Sequence, residues 1–266
     1  HAKIMVPPSG SPLAGKAYCQ DAGILTCVEA NPQGGIVWQR FMRKVDNGKP
    51  IFFGELLVLR SKGQFIAFDG RTGERRWSRK VSGRFVQHAS DYILDWSGSN
   101  GSGKAVCLDP KTGKIRWQKT YGHGTQAFAQ ANVIHFFQTP SGKPLRHFVV
   151  NPLTGETIQA YEDILQDVMK GGGLWTVRSC GAKGALLGSD GKGKQEYRIY
   201  KLDGKKPNPW RLGDVMIVNV IASNDKFTVV EESGHQLVVY KFEDDGYRAT
   251  PLAMAGTKFD RNNMYF

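Results

Sequence analysis

The sequence is poor in the residue patterns that build reactive centres. It holds four cysteines, Cys19, Cys27, Cys107 and Cys180, with no two adjacent and none in a Cys-x-x-Cys pair. Zinc-ribbon and thioredoxin-type chemistry is thereby excluded. None of the six histidines (His1, His88, His123, His135, His147 and His235) stands at metal-ligand spacing from another. No Gly-x-Ser-x-Gly occurs, which removes the nucleophile elbow of the hydrolases. The Gly-rich stretch SGSNGSGK, 97 to 104, lacks the Gly-Lys-Ser/Thr ending of a phosphate loop. Lys104 instead opens the apolar run KAVCLD, so the stretch reads as a hairpin loop. Apolar runs are short. None approaches the ~18 residues of a membrane helix. The best, VMIVNVIA at 215 to 222, is strand-length and carries Asn219. Acids are also scarce, 24 against 36 Lys and Arg, for a net charge of +12 and a pI near 9.5.

What is present describes a turn-rich globular chain. Hydrophobic residues make up 40% and aromatics 11%, against 32 glycines, a balance that buries a core rather than leaving the chain disordered. A length of 266 residues allows one large all-β domain or two small ones. The first residues, HAKIMVPPSG, do not start at Met, and a signal peptide or lipid anchor removed ahead of them would leave no trace in this sequence. Residues 1–14, with PPSGSP at 7 to 12, read as a flexible leader or as a closing strand. Cys19 and Cys27 flank QDAGILT, a turn between two short strands. They admit two readings: a cross-strand disulfide in an oxidising compartment, or two small buried hydrophobes.

The organising feature is a repeat. AFDGRTGERRW at 67 to 77 returns as CLDPKTGKIRW at 107 to 117. Both carry a small residue (Ala67, Cys107), Asp69 or Asp109, Thr-Gly ending at Gly73 or Gly113, and Trp77 or Trp117. A third copy, VVNPLTGETIQ at 149 to 159, keeps Gly155 but has Asn151 for Asp and Gln159 for Trp. An earlier, weaker copy, CVEANPQGGIVW, ends at Trp38. Each copy reads as a hairpin. The Asp side chain bonds the backbone of the turn, and the glycine takes a positive φ that other residues resist. Two further strands precede each hairpin, as in KPIFFG and ELLVLRS, giving four strands in about 40 residues. That period predicts an all-β fold, a single β-propeller of six four-stranded blades over 15–266. The third strands are expected at Leu25–Glu29, Gln64–Asp69, Ala105–Asp109, Arg146–Asn151, Glu196–Asp203 and Gln236–Phe242. Blade five is lengthened by a Gly-rich insertion, 180 to 194. YEDILQDVMK at 161 to 170 reads as a helical turn or as a blade's first strand. The repeat tryptophans are expected to pack between blades rather than to bind.

The string Ala-x-Asp-x-x-Thr-Gly-x-x-x-Trp resembles the repeat of the pyrroloquinoline-quinone-type propellers, matched throughout at 67 to 77 and with Cys for Ala at 107 to 117. Two branches of that superfamily set the expectations. One holds quinoprotein dehydrogenases, which grip the quinone between a Trp and a disulfide of adjacent cysteines beside a calcium ion. The other holds non-enzymatic propellers such as BamB of the outer-membrane β-barrel assembly machinery. Both commonly have eight blades. This chain has no adjacent cysteines and no acid cluster offering the six to eight oxygens that calcium takes, so no cofactor is expected. The resemblance therefore implies a protein-interaction scaffold of a bacterial cell envelope, periplasmic or secreted. A protein partner is expected. An anionic or glycan ligand is the charge-based alternative, a quinoprotein enzyme the third. Nucleic acid is disfavoured, because the aromatics occupy strand positions that packing explains.

A candidate interaction face follows from the blade topology. The Asp-x-x-Thr-Gly turns share one rim. The connections from second to third strand, and from blade to blade, share the other, and there the chain places Lys62, Arg84, Lys104, His123 and Lys143. His88, in FVQHAS, is a candidate for lining the channel. The turn rim is basic as well, through Arg71, Arg75, Arg76, Lys111, Lys114 and Arg116.

Overall fold

The computed structural model describes residues 3–42, 50–81, 85–89, 91–98, 102–130, 132–139, 145–164, 175–180, 184–189, 197–201, 210–212, 217–223, 227–233, 236–243 and 246–252. Among them are six four-stranded antiparallel sheets, each running in sequence order, and no helix. Blade one is β1 Lys3–Met5, β2 Lys16–Asp21, β3 Ile24–Glu29 and β4 Ile36–Phe41. Blade two is β5 Ile51–Phe53, β6 Leu56–Ser61, β7 Gln64–Asp69 and β8 Arg75–Lys80. Blade three is β9 Phe85–Ala89, β10 Tyr92–Trp96, β11 Gly103–Leu108 and β12 Ile115–Tyr121. Blade four is β13 Thr125–Ala129, β14 Ile134–Gln138, β15 Leu145–Val150 and β16 Thr157–Ile164. Blade five is β17 Trp175–Cys180, β18 Gly184–Ser189, β19 Tyr197–Lys201 and β20 Trp210–Arg211. Blade six is β21 Ile217–Ser223, β22 Phe227–Glu232, β23 Gln236–Glu243 and β24 Gly246–Pro251. The fold is the six-bladed propeller expected, and each expected third strand falls on β3, β7, β11, β15, β19 or β23.

The chain divides into two compact units. The first comprises His1–Gly98, Gly103–Thr120 and Pro152–Gly155, and the second Ser99–Ser102, Tyr121–Asn151 and Glu156–Phe266. In the first unit the middle blade buries both faces, because side chains alternate along a strand. Leu57 and Leu59 of β6 pack with Tyr18, Leu25 and Trp38 of blade one. Val58, between them, packs with Ile93, Val106 and Leu108 of blade three. In the second unit blade five does the same. Ala185 and Leu187 join Phe137 and Leu145, while Leu186 joins Val230, Val238 and Tyr240. Between β1 and β2 the chain makes two turns and buries Leu13 completely in the first core cluster.

Three readings are corrected. Within the Gly-rich stretch at 180 to 194, Gly184–Ser189 is not inserted loop but the second strand of blade five, and 181–183 and 190–194 lie outside the described residues. Its glycine is a close-approach residue: a Cβ at Gly188 would lie 3.0 Å from Arg178 Nε and 3.1 Å from the Tyr197 ring. The described part of the segment opening at Tyr161 is neither a helical turn nor a blade's first strand. Residues 161–164 complete the outer strand β16, and 165–170 lie outside the described residues. Cys19 and Cys27 are not bonded to each other, and none of the four cysteines forms a disulfide. In the β2–β3 register Tyr18 stands opposite Cys27, and Cys19 opposite Thr26. The two thiols therefore point to opposite faces of the sheet, and the buried-hydrophobe reading holds for Cys27.

Candidate protein-interaction surface

The repeat builds a cradle. In blade two, Asp69 Oδ1 accepts the amides of Arg71 and Thr72, both at 3.0 Å, and Oδ2 accepts Arg76 at 2.8 Å. Asp109 repeats this with the amides of Lys111 and Thr112, both at 2.9 Å, and with Arg116 at 2.8 Å. Burial pushes both carboxyls up. The paired arginine and the turn N–H groups outweigh it and hold each below the usual carboxylate range. The closed turn then aims one carbonyl and one glycine at the outer strand of the preceding blade. The Trp38 indole donates to Gly70 O at 2.9 Å, Trp77 to Pro110 O at 3.1 Å and Trp117 to Pro152 O at 2.8 Å. Each ring lies over the turn glycine, so that a Cβ at Gly73, Gly113 or Gly155 would sit 2.5 or 2.6 Å from it. These glycines have φ near +70°, so the position requires glycine twice over.

The sequence reading missed the position of Arg40 and Arg79, and it placed Arg76 and Arg116 on the turn rim without their role in the cradle. Two residues after the tryptophan, Arg40 donates to Gly73 O at 2.8 Å and Arg79 to Gly113 O at 3.1 Å. One residue before it, Arg76 and Arg116 neutralise the turn Asp. Their signal is the recurring Arg before Trp77 and Trp117, which the third copy replaces with Ile158 where it also replaces Asp with Asn151. Carboxylate and guanidinium are absent together. Cys27 and Cys107 belong to the same assembly. Their thiols face Gly70 O at 3.8 Å and Pro152 O at 3.1 Å, the carbonyls that the indoles use. Burial raises both thiol pKa values, that of Cys107 to about 12, so neither is a reactive thiolate at neutral pH.

Residues 15–149, half of the chain, match the family described as outer membrane protein assembly factor BamB. The chain belongs to the BamB family. No curated protein matches it. Among solved structures it is similar to Hsv2 of Kluyveromyces lactis, with a TM-score of 0.55 and 9% identity over 94% of this chain and 85% of that one. It is similar to the N-terminal domain of Nup159, with a TM-score of 0.54 and 9% identity over 96% and 79%. BamB from Moraxella catarrhalis aligns with a TM-score of 0.47 and 15% identity over 96% and 90%. At these identities the likeness concerns the fold.

In this BamB-family chain the cradle occupies the rim of the third-to-fourth-strand turns, and much of that rim's positive charge is engaged. Arg76 pairs with Asp69 and Glu74, Arg116 with Asp109, and Arg71 with Glu55. The expected interaction residues sit at the other ends of their sheets. Lys62 is exposed in the β6–β7 turn, with φ of 49°. Lys104 is exposed at the start of β11, and His123 in the β12–β13 connection. His88 lies in β9 opposite Ile93. Arg84, Lys143 and the side chain of His88 lie outside what is described. Among the described residues, no three His, Cys, Asp or Glu side chains gather as a metal site, and no helix is long and apolar enough to cross a membrane.

Blade four holds one buried polar group that the motifs did not announce. His135 Nδ1 lies 2.9 Å from His147 Nε2, and the Tyr200 hydroxyl lies 3.4 Å from His147 Nδ1. His135 is 3% exposed and His147 0%. His135 is hydrogen-bonded through one ring nitrogen, while its Nε2 has no hydrogen-bond partner among the described residues. Burial drives both imidazoles below their ordinary pKa, and His147 is lowered further by its neighbour.

Proposed function

We propose that this chain is a non-enzymatic propeller scaffold for protein–protein interaction, working in a bacterial cell-envelope assembly in the periplasm or outside the cell. One observation carries the reading. The repeat residues are consumed in seating tryptophans on turns, while Lys62, Lys104 and His123 stand exposed on the connections at the other ends of their sheets. Loops over a rigid scaffold are where such folds recognise partners. The family description, an outer membrane assembly factor, supports the compartment.

The test is affinity capture from a bacterial envelope fraction, washed at low and at high salt. One defined protein is expected to survive both washes and to be depleted by the pair Lys62→Glu and Lys104→Glu. A broad acidic smear lost at high salt would transfer the reading to a polyanion or glycan binder. Dye reduction after reconstitution with calcium and quinone would transfer it to a dehydrogenase.

A further inference from the structure

Blade four turns one face to blade five, and strand register fixes what lies on it. His135 stands opposite Phe128 and Val149, Phe137 opposite Gln126 and His147, and His147 opposite Tyr161. Phe137 and Leu145 of this face cluster with Val177, Ala185, Leu187 and Tyr200 of blade five. All of these residues belong to the second compact unit. The bonds that cross the seam run through side chains. Gln126 Oε1 accepts the Val177 N–H at 2.7 Å, Gln130 Nε2 donates to Cys180 Sγ at 3.7 Å, and the Tyr200 hydroxyl lies 3.4 Å from His147 Nδ1. The core clusters that join blades one and two, two and three, and five and six hold no histidine.

This seam is poorly equipped to hold a charge. The bond between the rings, 2.9 Å from His135 Nδ1 to His147 Nε2, uses one N–H, and each neutral imidazole carries only one. A further proton must enter at His135 Nε2 or at His147 Nδ1. The first has no hydrogen-bond partner among the described residues, and the second faces the Tyr200 hydroxyl. The titratable groups turned toward the rings are Tyr161 from β16, Tyr200 from β19 and Cys180 from β17. From β13 and its turn come Gln126, Phe128 and Gln130, and from β18 Ala185 and Leu187. Among the described residues no carboxylate meets either ring. An imidazolium here would be buried without a counter-charge, which burial strongly disfavours.

We propose that the seam between blades four and five is an acid-operated latch: when His135 and His147 take up protons, the two blades part along this face and each four-stranded sheet stays intact. The ladder bonds within a blade are backbone bonds that do not titrate, whereas the rings gain hydration only by leaving the seam. Once open, each ring binds a proton near pH ~6.5. Opening then becomes up to about tenfold more favourable per pH unit for each ring below that value. The latch is therefore closed above that pH and opens as pH falls. It is local to the second unit and owes nothing to the Lys62 and Lys104 loops.

The Val177 amide reports the seam directly, because its acceptor, Gln126, belongs to the other blade. Amide exchange of the isotope-labelled full chain is followed at pH 7.5 and at pH 5.0 and corrected for the intrinsic pH dependence of exchange. Protection of Val177 is expected to fall by roughly tenfold or more, while amides of the β18–β19 ladder and of blade two keep theirs. In the double variant His135→Phe and His147→Phe, Val177 is expected to be equally protected at both pH values. Should that variant fail to fold, the ring signals of the native chain decide: both imidazoles are expected to charge over the pH range in which Val177 loses protection. Undiminished protection of Val177 at pH 5.0 would overturn the latch. So would a loss shared by the β18–β19 ladder and blade two, a loss that persists in the variant, or rings that charge in a different pH range.

Discussion

Gly113 concentrates the logic of the repeat in one residue. Its φ is 67°, a region that costs an L side chain ~1–2 kcal/mol. A Cβ there would also fall 2.6 Å from Trp77 Cε3, and overpacking a fitted contact adds ~1–3 kcal/mol. Gly113→Ala is therefore expected to lower unfolding stability by about 2–5 kcal/mol in a urea titration. A loss within experimental error would show that the indole swings away at no cost. The thiols make a second residue-scale statement. Cys27 and Cys107 are buried beside carbonyls, whereas Cys19 and Cys180 are half-buried. In the native state a thiol reagent is expected to label Cys19 and Cys180 first. Cys27 and Cys107 are expected to react only on unfolding, and reductant is expected to leave the native mass unchanged. Protection of Cys19 and Cys27 together, released by reductant, would restore the disulfide.

At the scale of the element, the turn is a unit that gains or loses its parts together. Asp109 satisfies two backbone amides besides Arg116, so Asp109→Ala strands more than an ion pair. We expect it to cost about 1–2 kcal/mol, as loss of a helix cap does. Arg116→Ile removes a partly exposed charge partner and is expected to cost about 1 kcal/mol or less. The pair Asp109→Asn and Arg116→Ile copies blade four, where Asn151 and Ile158 stand. It should cost less than its two single substitutions summed, by at least ~0.5 kcal/mol in a double-mutant cycle. Strict additivity would mean that Asp and Arg occupy the turn independently. The same unit explains why tryptophan could be assigned to packing before any coordinates: its partner carbonyl lies at a fixed position, one residue after Asp or Asn.

For the whole molecule, acid is the informative variable. His135 and His147 are buried as neutral rings, and burial lowers both pKa values in the folded chain. In the unfolded chain each titrates near ~6.5. The unfolded state therefore binds protons that the folded state refuses. The sign is that stability is retained above pH ~6.5 and falls as pH drops below it, by up to about 1.4 kcal/mol per pH unit for each ring. Denaturant midpoints measured from pH 7.5 to 4.5 should decline accordingly. The double variant His135→Phe and His147→Phe should flatten that decline, even if it shifts the midpoint at pH 7.5. An equal slope in the variant would assign the acid sensitivity to other groups.

Much of this was local chemistry and so could be read from the chain. A turn that needs an acceptor at Asp69 and a positive φ at Gly73 must be written within a few residues, and its recurrence in four copies sets the period, which strand alternation carries on through blades five and six. Strand alternation and the packing role of Trp77 and Trp117 follow from the same short range. The facing of Cys19 and Cys27 was not legible, because a one-residue difference in register turns a side chain to the other face of a sheet. The strand Gly184–Ser189 was read as loop because its glycine answers to Arg178 and Tyr197, neighbours distant in sequence from the turn chemistry. Nor could the chain by itself reveal that Gly73, Gly113 and Gly155 each lie under an indole, or that His135 and His147 share a hydrogen bond. Those are contacts between segments, and only tertiary packing decides which segments meet.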